Sequence, residues 1–195
     1  MQGARMTLAG ISAVAAGIVF LISGACIGVF FVSEKDAWGR ANDGTIALFA
    51  ALMIPPAVEI YERYAPGSRW VVGPLTLIGI AGMLVIVVTS GLTAAAKLDW
   101  LLSAKIGAVG FGGLLTWITT ACVLILQRGG LPDALARLGL VTVGIMGVTA
   151  GLTIRLIRVH GSLSGEVQPP LGMWVLFAVA FLRVPAWTVW LDVSL

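Results

Sequence analysis

The sequence predicts an all-α fold, a polytopic transmembrane helix bundle of six spans that forms a single domain over residues 1–195. Composition is the first observation: 59% of the residues are hydrophobic, only 11% are charged, and the mean hydropathy is +1.03. Ordinary soluble domains are about half apolar and about one quarter charged. The second observation is pattern: apolar runs of about 20 residues recur between short polar breaks, without the sustained alternation of a membrane β-barrel.

The six predicted spans cover residues 6–32, 45–61, 70–95, 100–126, 136–157 and 170–191. The breaks between them carry the Gly, Pro, Asn, Asp and Ser residues that end helices, and "SEKDAWGRANDG" at 33–44 is interpreted as the first loop. The break at Lys97 to Asp99 is short and predicts a tight hairpin between spans three and four. No break is long enough for a soluble domain, so any function lies in the bundle or its loops.

The first apolar run follows Arg5 and continues to Val32. That is too long for the hydrophobic part of a signal peptide, so we interpret it as a retained first span. An even number of spans places both termini on one side of the membrane. Lys and Arg residues divide equally between the two sides, and the N-terminal amino group then favours a cytoplasmic location for both termini in a bacterial cytoplasmic membrane.

Several classes of site lack their residues. The charged side chains are scattered and the net charge is +3, so no nucleic-acid-binding patch is expected. Cys26 and Cys122 lie in apolar runs without a CxxC spacing, which indicates small core residues rather than a disulfide or a metal site. The single histidine, His160, allows no bis-histidine haem ligation. No catalytic residue, cofactor or metal ligand is therefore predicted.

Glycine accounts for 25 residues and recurs inside the spans, in "GACIG" at 24–28, "GIAG" at 79–82, "GAVGFGG" at 107–113 and "GIMGVTAG" at 144–151. Small residues four positions apart allow helix backbones to approach closely in a bilayer. Gly24 with Gly28, and Gly147 with Gly151, have that spacing and are the predicted helix-packing positions. A docking face for a partner and the general abundance of glycine in membrane helices are the alternatives.

Two ionisable residues interrupt apolar runs beside prolines: Glu59 in "MIPPAVEIYERY" and Arg183 in "FLRVPAWTVWL". At 1.5 Å per residue, each lies roughly 20 Å along a path of about 30 Å through spans that run in the same direction. We therefore predict a charge-assisted pair between Glu59 and Arg183. The alternative places Glu59 at the lipid headgroups, with Arg183 extending its side chain to the same interface.

Lys105 and Trp117, both in the fourth span, complete the set of ligand or charge-pair candidates. Lys105 lies about 8 Å into its helix, a depth from which a lysine side chain reaches the interface. Trp117 lies deeper, either lining a cavity or within a packed core.

The segments "ALFAALMIPPAVEIYER", "GIAGMLVIVVTSGL" and "FLRVPAWTVWL", together with the glycine-rich first span, resemble the uncharacterised six-span bacterial integral membrane proteins grouped as domains of unknown function. The resemblance implies a six-span fold and no particular activity.

Three kinds of function fit these observations. The first is a non-catalytic membrane protein, either an accessory subunit of a membrane complex or a bundle that binds a lipid or another lipophile. The second is a small transporter or channel that uses Glu59 and Arg183, and the third is an enzyme acting on a lipid-phase substrate. The expected partners are membrane lipid, a lipophilic small molecule, and other membrane subunits or further copies of the chain.

Overall fold

The computed structural model describes residues 7–66, 68–160, 179 and 182–188. Six helices occupy most of this part of the chain, and no strand occurs in it, which confirms the all-α prediction. The helices are α1 (Leu8–Ser33), α2 (Asp36–Leu52), α3 (Ile54–Tyr64), α4 (Arg69–Ala94), α5 (Trp100–Arg128) and α6 (Asp133–His160). A short helical segment at 182–188 follows.

Four helical stretches of the described chain are long and apolar enough to cross a membrane: Leu8–Ser33, Asp36–Tyr64, Arg69–Ala94 and Trp100–Arg128. Three of them coincide within a few residues with predicted spans one, three and four. The fifth predicted span falls within α6, and whether it crosses the membrane stays a prediction. Most of the sixth predicted span lies outside the described residues, apart from 179 and 182–188.

The prediction of a loop at 33–44 is wrong, because α2 begins at Asp36. Gly39, Asn42 and Gly44 suggest a turn by local preference, but contacts with α1 override that preference. The ring of Phe30 lies 3.4 Å from the position that a Cβ on Gly39 would occupy, so Phe30 of α1 packs against α2 at Gly39. The hydroxyl of Ser23 donates to Oδ1 of Asn42 at 2.7 Å and fixes the rotation of α2 against α1.

Two prolines divide the second apolar stretch into α2 and α3. Pro55 and Pro56 have no amide N–H, so the helical hydrogen bonds that would end on the carbonyl groups four residues earlier are missing. Proline is tolerated in the first turn of a helix for the same reason. Met53 between the helices keeps a right-handed helical conformation, and its N–H donates to the carbonyl of Phe49 at 3.1 Å.

A close helix contact joins α4 to α5 through glycines. A Cβ added to Gly82 would lie 3.0 Å from Cα of Gly113, and one added to Gly110 would lie 2.8 Å from the carbonyl oxygen of Gly82. One turn earlier on α4, Gly79 lies directly against the side chain of Trp117. Only glycine permits this separation of the backbones.

Three of the four predicted packing glycines show no such contact with the described residues. An added Cβ at Gly28, Gly147 or Gly151 would meet nothing within 4 Å, and Gly147 and Gly151 are exposed on α6. Gly24 is half-buried. The close contact of α4 with α5 therefore uses glycines of "GIAG" and "GAVGFGG", and packing at Gly24, Gly28, Gly147 and Gly151 stays a prediction.

The segment 182–188 completes the core between α1, α5 and α6. Trp187 is 2% exposed and meets Trp117 edge to face, with ring centroids 6.4 Å apart. Gly139 of α6 leaves room for the indole edge of Trp187, and Gly17 of α1 lies against Thr188 and Pro185. This part of the sixth predicted span thus packs inside the bundle.

Candidate functional site

A pocket of about 780 Å³ opens at one end of the bundle, where α1 and α4 end and α2 and α5 begin. The apolar part of its lining, called here its apolar wall, consists of Ile27, Phe30, Phe31, Leu98 and Trp100. The polar part, called its polar wall, consists of Asp36, Arg40, Asn42, Asp43, Lys97 and Asp99. Apolar and charged side chains therefore line the same space.

Helix α2 supplies most of the polar wall. Asp36, Arg40 and Asp43 are four and three positions apart, a spacing that places them on one face of a helix. Gly39 lies on the same face and carries the contact with the ring of Phe30. The carboxylates of α2 therefore project beside an aromatic ring.

The connection between α4 and α5 supplies the rest of the polar wall. Oδ1 of Asp99 accepts hydrogen bonds from the backbone N–H of Leu101 at 2.9 Å and of Leu102 at 3.1 Å, so this carboxylate caps the N-terminus of α5. The backbone N–H of Lys97 donates to the carbonyl of Leu92 at 2.8 Å. Ala96 adopts a left-handed conformation with φ 55°. The predicted tight hairpin is thus held by local hydrogen bonds.

The carboxylates of the pocket differ in burial. Asp36 and Asp99 are exposed, whereas Asp43 is half-buried on the side nearer the centre of α2. Asn42, its neighbour, is held by Ser23, whose side chain is fully buried. Arg40 and Lys97 are exposed. Of the charged groups in the pocket, Asp43 is therefore the one most removed from water.

Aromatic rings also line the pocket. Phe30 and Phe31 are in edge contact, with ring centroids 5.5 Å apart and an interplanar angle of 64°. Trp100, at the start of α5, leaves 44% of its surface exposed at the mouth of the pocket. These rings provide an apolar surface at the level where the helices end.

None of the residues singled out from the sequence lines this pocket. Glu59 on α3 and Arg183 in the segment 182–188 are both half-buried, and no hydrogen bond or ion pair joins them in the described part of the chain. Lys105 is exposed on α5. Trp117 is 1% exposed and belongs to the packed core beside Trp187. The structure does not bring these candidates together.

The pocket residues of α2 were not predicted, because the segment 33–44 has the composition of a loop. The signal that could have found them is the spacing of Asp36, Arg40 and Asp43 within a proline-free segment, which is compatible with one helical face. The contribution of Phe30 and Trp100 could not be read in the same way, because they come from other helices.

A metal site is not formed by the described residues, among which no group of three His, Cys, Asp or Glu side chains is placed to hold an ion. No family model, no curated protein and no solved structure matches the chain. The resemblance to six-span proteins of unknown function stays a prediction.

Proposed function

We propose that the chain is a non-catalytic integral membrane protein that binds an amphiphilic, lipid-like molecule in the pocket between α1, α2, α4 and α5. The observation that carries the proposal is the mixed lining of the pocket, in which apolar and aromatic side chains occur together with charged ones. An amphiphile combines an apolar chain with a polar headgroup, and this lining offers contacts to both parts.

The depth of the pocket supports this ligand class. The pocket lies where α1, α2, α4 and α5 begin or end, and each of these helices belongs to a stretch apolar enough to span a bilayer. The ends of such helices lie at the headgroup layer, where aromatic and cationic side chains are enriched. A volume of about 780 Å³ also falls within the range of about 300–1,000 Å³ that is usual for ligand pockets.

The opposite end of the bundle favours binding over conduction. There the phenol of Tyr64 donates to the carbonyl of Gly129, and Arg128 donates to the carbonyls of Tyr64 and Pro66. These contacts tie the connection after α3 to the end of α5. An open pocket at one end and a tied connection at the other suit a binding bundle better than a channel.

We also propose the membrane topology and location of the protein. We place six spans in a bacterial cytoplasmic membrane with both termini in the cytoplasm, and the bound amphiphile is a membrane lipid or a lipophilic small molecule. An accessory role in a larger membrane complex is compatible with the same pocket. Co-purification of other chains in a mild detergent would support that role.

Native mass spectrometry of the protein extracted in a neutral detergent tests the proposal. We expect a bound amphiphile in the unaltered protein and a reduced bound fraction in Trp100→Ala, which removes an aromatic ring from the pocket. Trp70→Ala is the matched control, because Trp70 is 94% exposed at the beginning of α4 and outside the pocket. An unaltered protein without bound amphiphile, or equal loss in both variants, would contradict the proposal.

A further inference from the structure

The charge balance of the pocket is the starting point for identifying its ligand. Three carboxylates, from Asp36, Asp43 and Asp99, and two cationic side chains, from Arg40 and Lys97, line it. The pocket therefore carries one more negative than positive charge. An excess of one negative charge is small, so the ligand charge depends on where each charged group lies.

Asp43 carries the carboxylate whose charge a ligand would neutralise. It is half-buried, and neither a cationic side chain nor a hydrogen-bond donor of the described residues neutralises it. A carboxylate removed from water without a partner costs free energy, which a cationic ligand group offsets. Asp99 does not have the same need, because its carboxylate accepts two backbone hydrogen bonds at the start of α5.

Arg40 and Lys97 also line the pocket, and two cationic side chains favour an anionic ligand. Both are exposed, and their long side chains can place their charges in water beyond the pocket while the methylene groups remain near it. Asp43 has a short side chain and no such freedom. The two cations therefore belong to the rim of the pocket, and the carboxylate belongs to its interior.

The aromatic wall points to the same ligand charge. Phe30 packs against Gly39, one helical turn before Asp43 on α2, and Trp100 lies at the mouth. A cation placed over aromatic rings is attracted to their negative faces, and recognition of quaternary ammonium groups uses aromatic rings in this way. The negative faces of these rings would repel an anionic headgroup.

We propose that the pocket binds an amphiphile with a cationic ammonium headgroup, held by the carboxylate of Asp43 and the rings of Phe30 and Trp100. The inference rests on the proposed function and adds the chemical class of the headgroup. The alkyl chain leaves the pocket along its apolar wall, past Ile27 and Phe31.

The test uses the full chain in dodecyl maltoside micelles and two probes with the same dodecyl chain. Dodecyltrimethylammonium carries the ammonium group, and dodecanoate carries an anion. Thermal unfolding is measured at increasing mole fraction of each probe. We expect saturable stabilisation by dodecyltrimethylammonium and none by dodecanoate.

Variants locate the effect in the pocket. Asp43→Asn should weaken binding of dodecyltrimethylammonium by about tenfold or more, because a charge-assisted contact is lost. Glu62→Gln is the control, since it removes one negative charge from an exposed position on α3, outside the pocket. If Asp43→Asn does not fold, Asp43→Glu, which keeps the charge, and Asp36→Asn, at an exposed position on the same wall, provide the comparison. Binding should survive in both, because both keep a carboxylate at position 43, and a strong loss in Asp36→Asn would overturn the assignment to Asp43.

The outcomes separate this inference from the function on which it rests. Saturable binding of dodecanoate at least equal to that of the cation, lost in Trp100→Ala, would overturn the ammonium assignment and leave the amphiphile pocket standing. Equal binding of the cation by Asp43→Asn and the unaltered protein would also overturn the assignment. Saturable stabilisation by neither probe, with no amphiphile retained on purification, would overturn both.

Discussion

Tyr64 and Arg128 link α3 to α5 by hydrogen bonds at the end of the bundle opposite the pocket. The phenol O–H of Tyr64 donates to the carbonyl oxygen of Gly129 at 2.7 Å, and Nη1 of Arg128 donates to the carbonyl oxygen of Tyr64 at 3.0 Å. Arg128 also donates to the carbonyl of Pro66 at 3.2 Å and contacts the hydroxyl of Ser68. The last carbonyl groups of a helix lack helical partners, and here a side chain of another helix supplies them.

Loss of this contact should destabilise the bundle. We expect Tyr64→Phe to lower the free energy of unfolding by about 1 kcal/mol, because the phenol donor is removed and the carbonyl of Gly129 loses it. Arg128→Gln should also lower the unfolding temperature in detergent, and the double variant should lose less than the two single losses together. Arg69→Gln, an exposed basic residue at the same end, is the control. Additive losses would show that the two side chains act independently.

The contact between α4 and α5 leads to a prediction in which two similar substitutions have opposite effects. Gly82→Ala places a methyl group against the backbone of Gly110 and Gly113, and we expect a loss of about 1–3 kcal/mol from overpacking. Gly112→Ala, also within a helix of this pair, meets nothing within 4 Å. It should stabilise the helix by about 0.5–1 kcal/mol, because alanine is a better helix former than glycine.

Thermal or denaturant unfolding of both glycine variants in the same detergent provides the measurement. Gly147→Ala extends the comparison to a glycine that was expected to pack and is exposed. It should behave like Gly112→Ala if only lipid covers that face. Destabilisation by Gly147→Ala would instead indicate that this face of α6 meets a neighbour.

The long helices could be predicted from the sequence because their signal is local. Runs of apolar residues bounded by Gly, Pro and Asp define α1, α4 and α5 to within a few residues. The start of α2 could not be predicted, since Gly39 and Asn42 favour a turn until Phe30 and Ser23 of α1 are placed beside them. Contacts between residues of different helices leave no trace in local preference.

The packing glycines and the pocket could not be predicted for the same reason. A spacing of four residues places Gly147 and Gly151 on one face of α6. Whether that face meets another helix depends on the arrangement of all the helices. The pocket joins side chains from α1, α2, α4, α5 and the connection between α4 and α5. Asp43 acquires its significance only when Phe30 and Trp100 are placed around it.

Glu59 and Arg183 provide a test of the charge pair predicted from the sequence. Because no hydrogen bond or ion pair joins them in the described chain, we expect the stability losses of Glu59→Gln and Arg183→Gln to be additive within about 0.5 kcal/mol. Unfolding of the two single variants and the double variant in detergent gives the three values. A double variant that loses clearly less than the sum would restore the predicted pair, since a direct contact couples two substitutions.

The arrangement of six spans with both termini on one side is tested by reporter fusions placed after Lys35, Ser68, Lys97, Gly130 and Gly165. The first four sites follow the ends of α1, α3, α4 and α5, and the last follows the fifth predicted span. We expect the reporters to alternate in compartment, with the site after Lys35 outside the cytoplasm, because each intervening stretch is long enough to cross a hydrocarbon core of about 30 Å. That orientation also places the pocket at the outer surface of the membrane, since Lys97 and Asp36 lie at the same end as Lys35.

Two successive sites in one compartment would refute the six-span arrangement. A fully inverted pattern would keep the six spans and would place the pocket at the cytoplasmic surface.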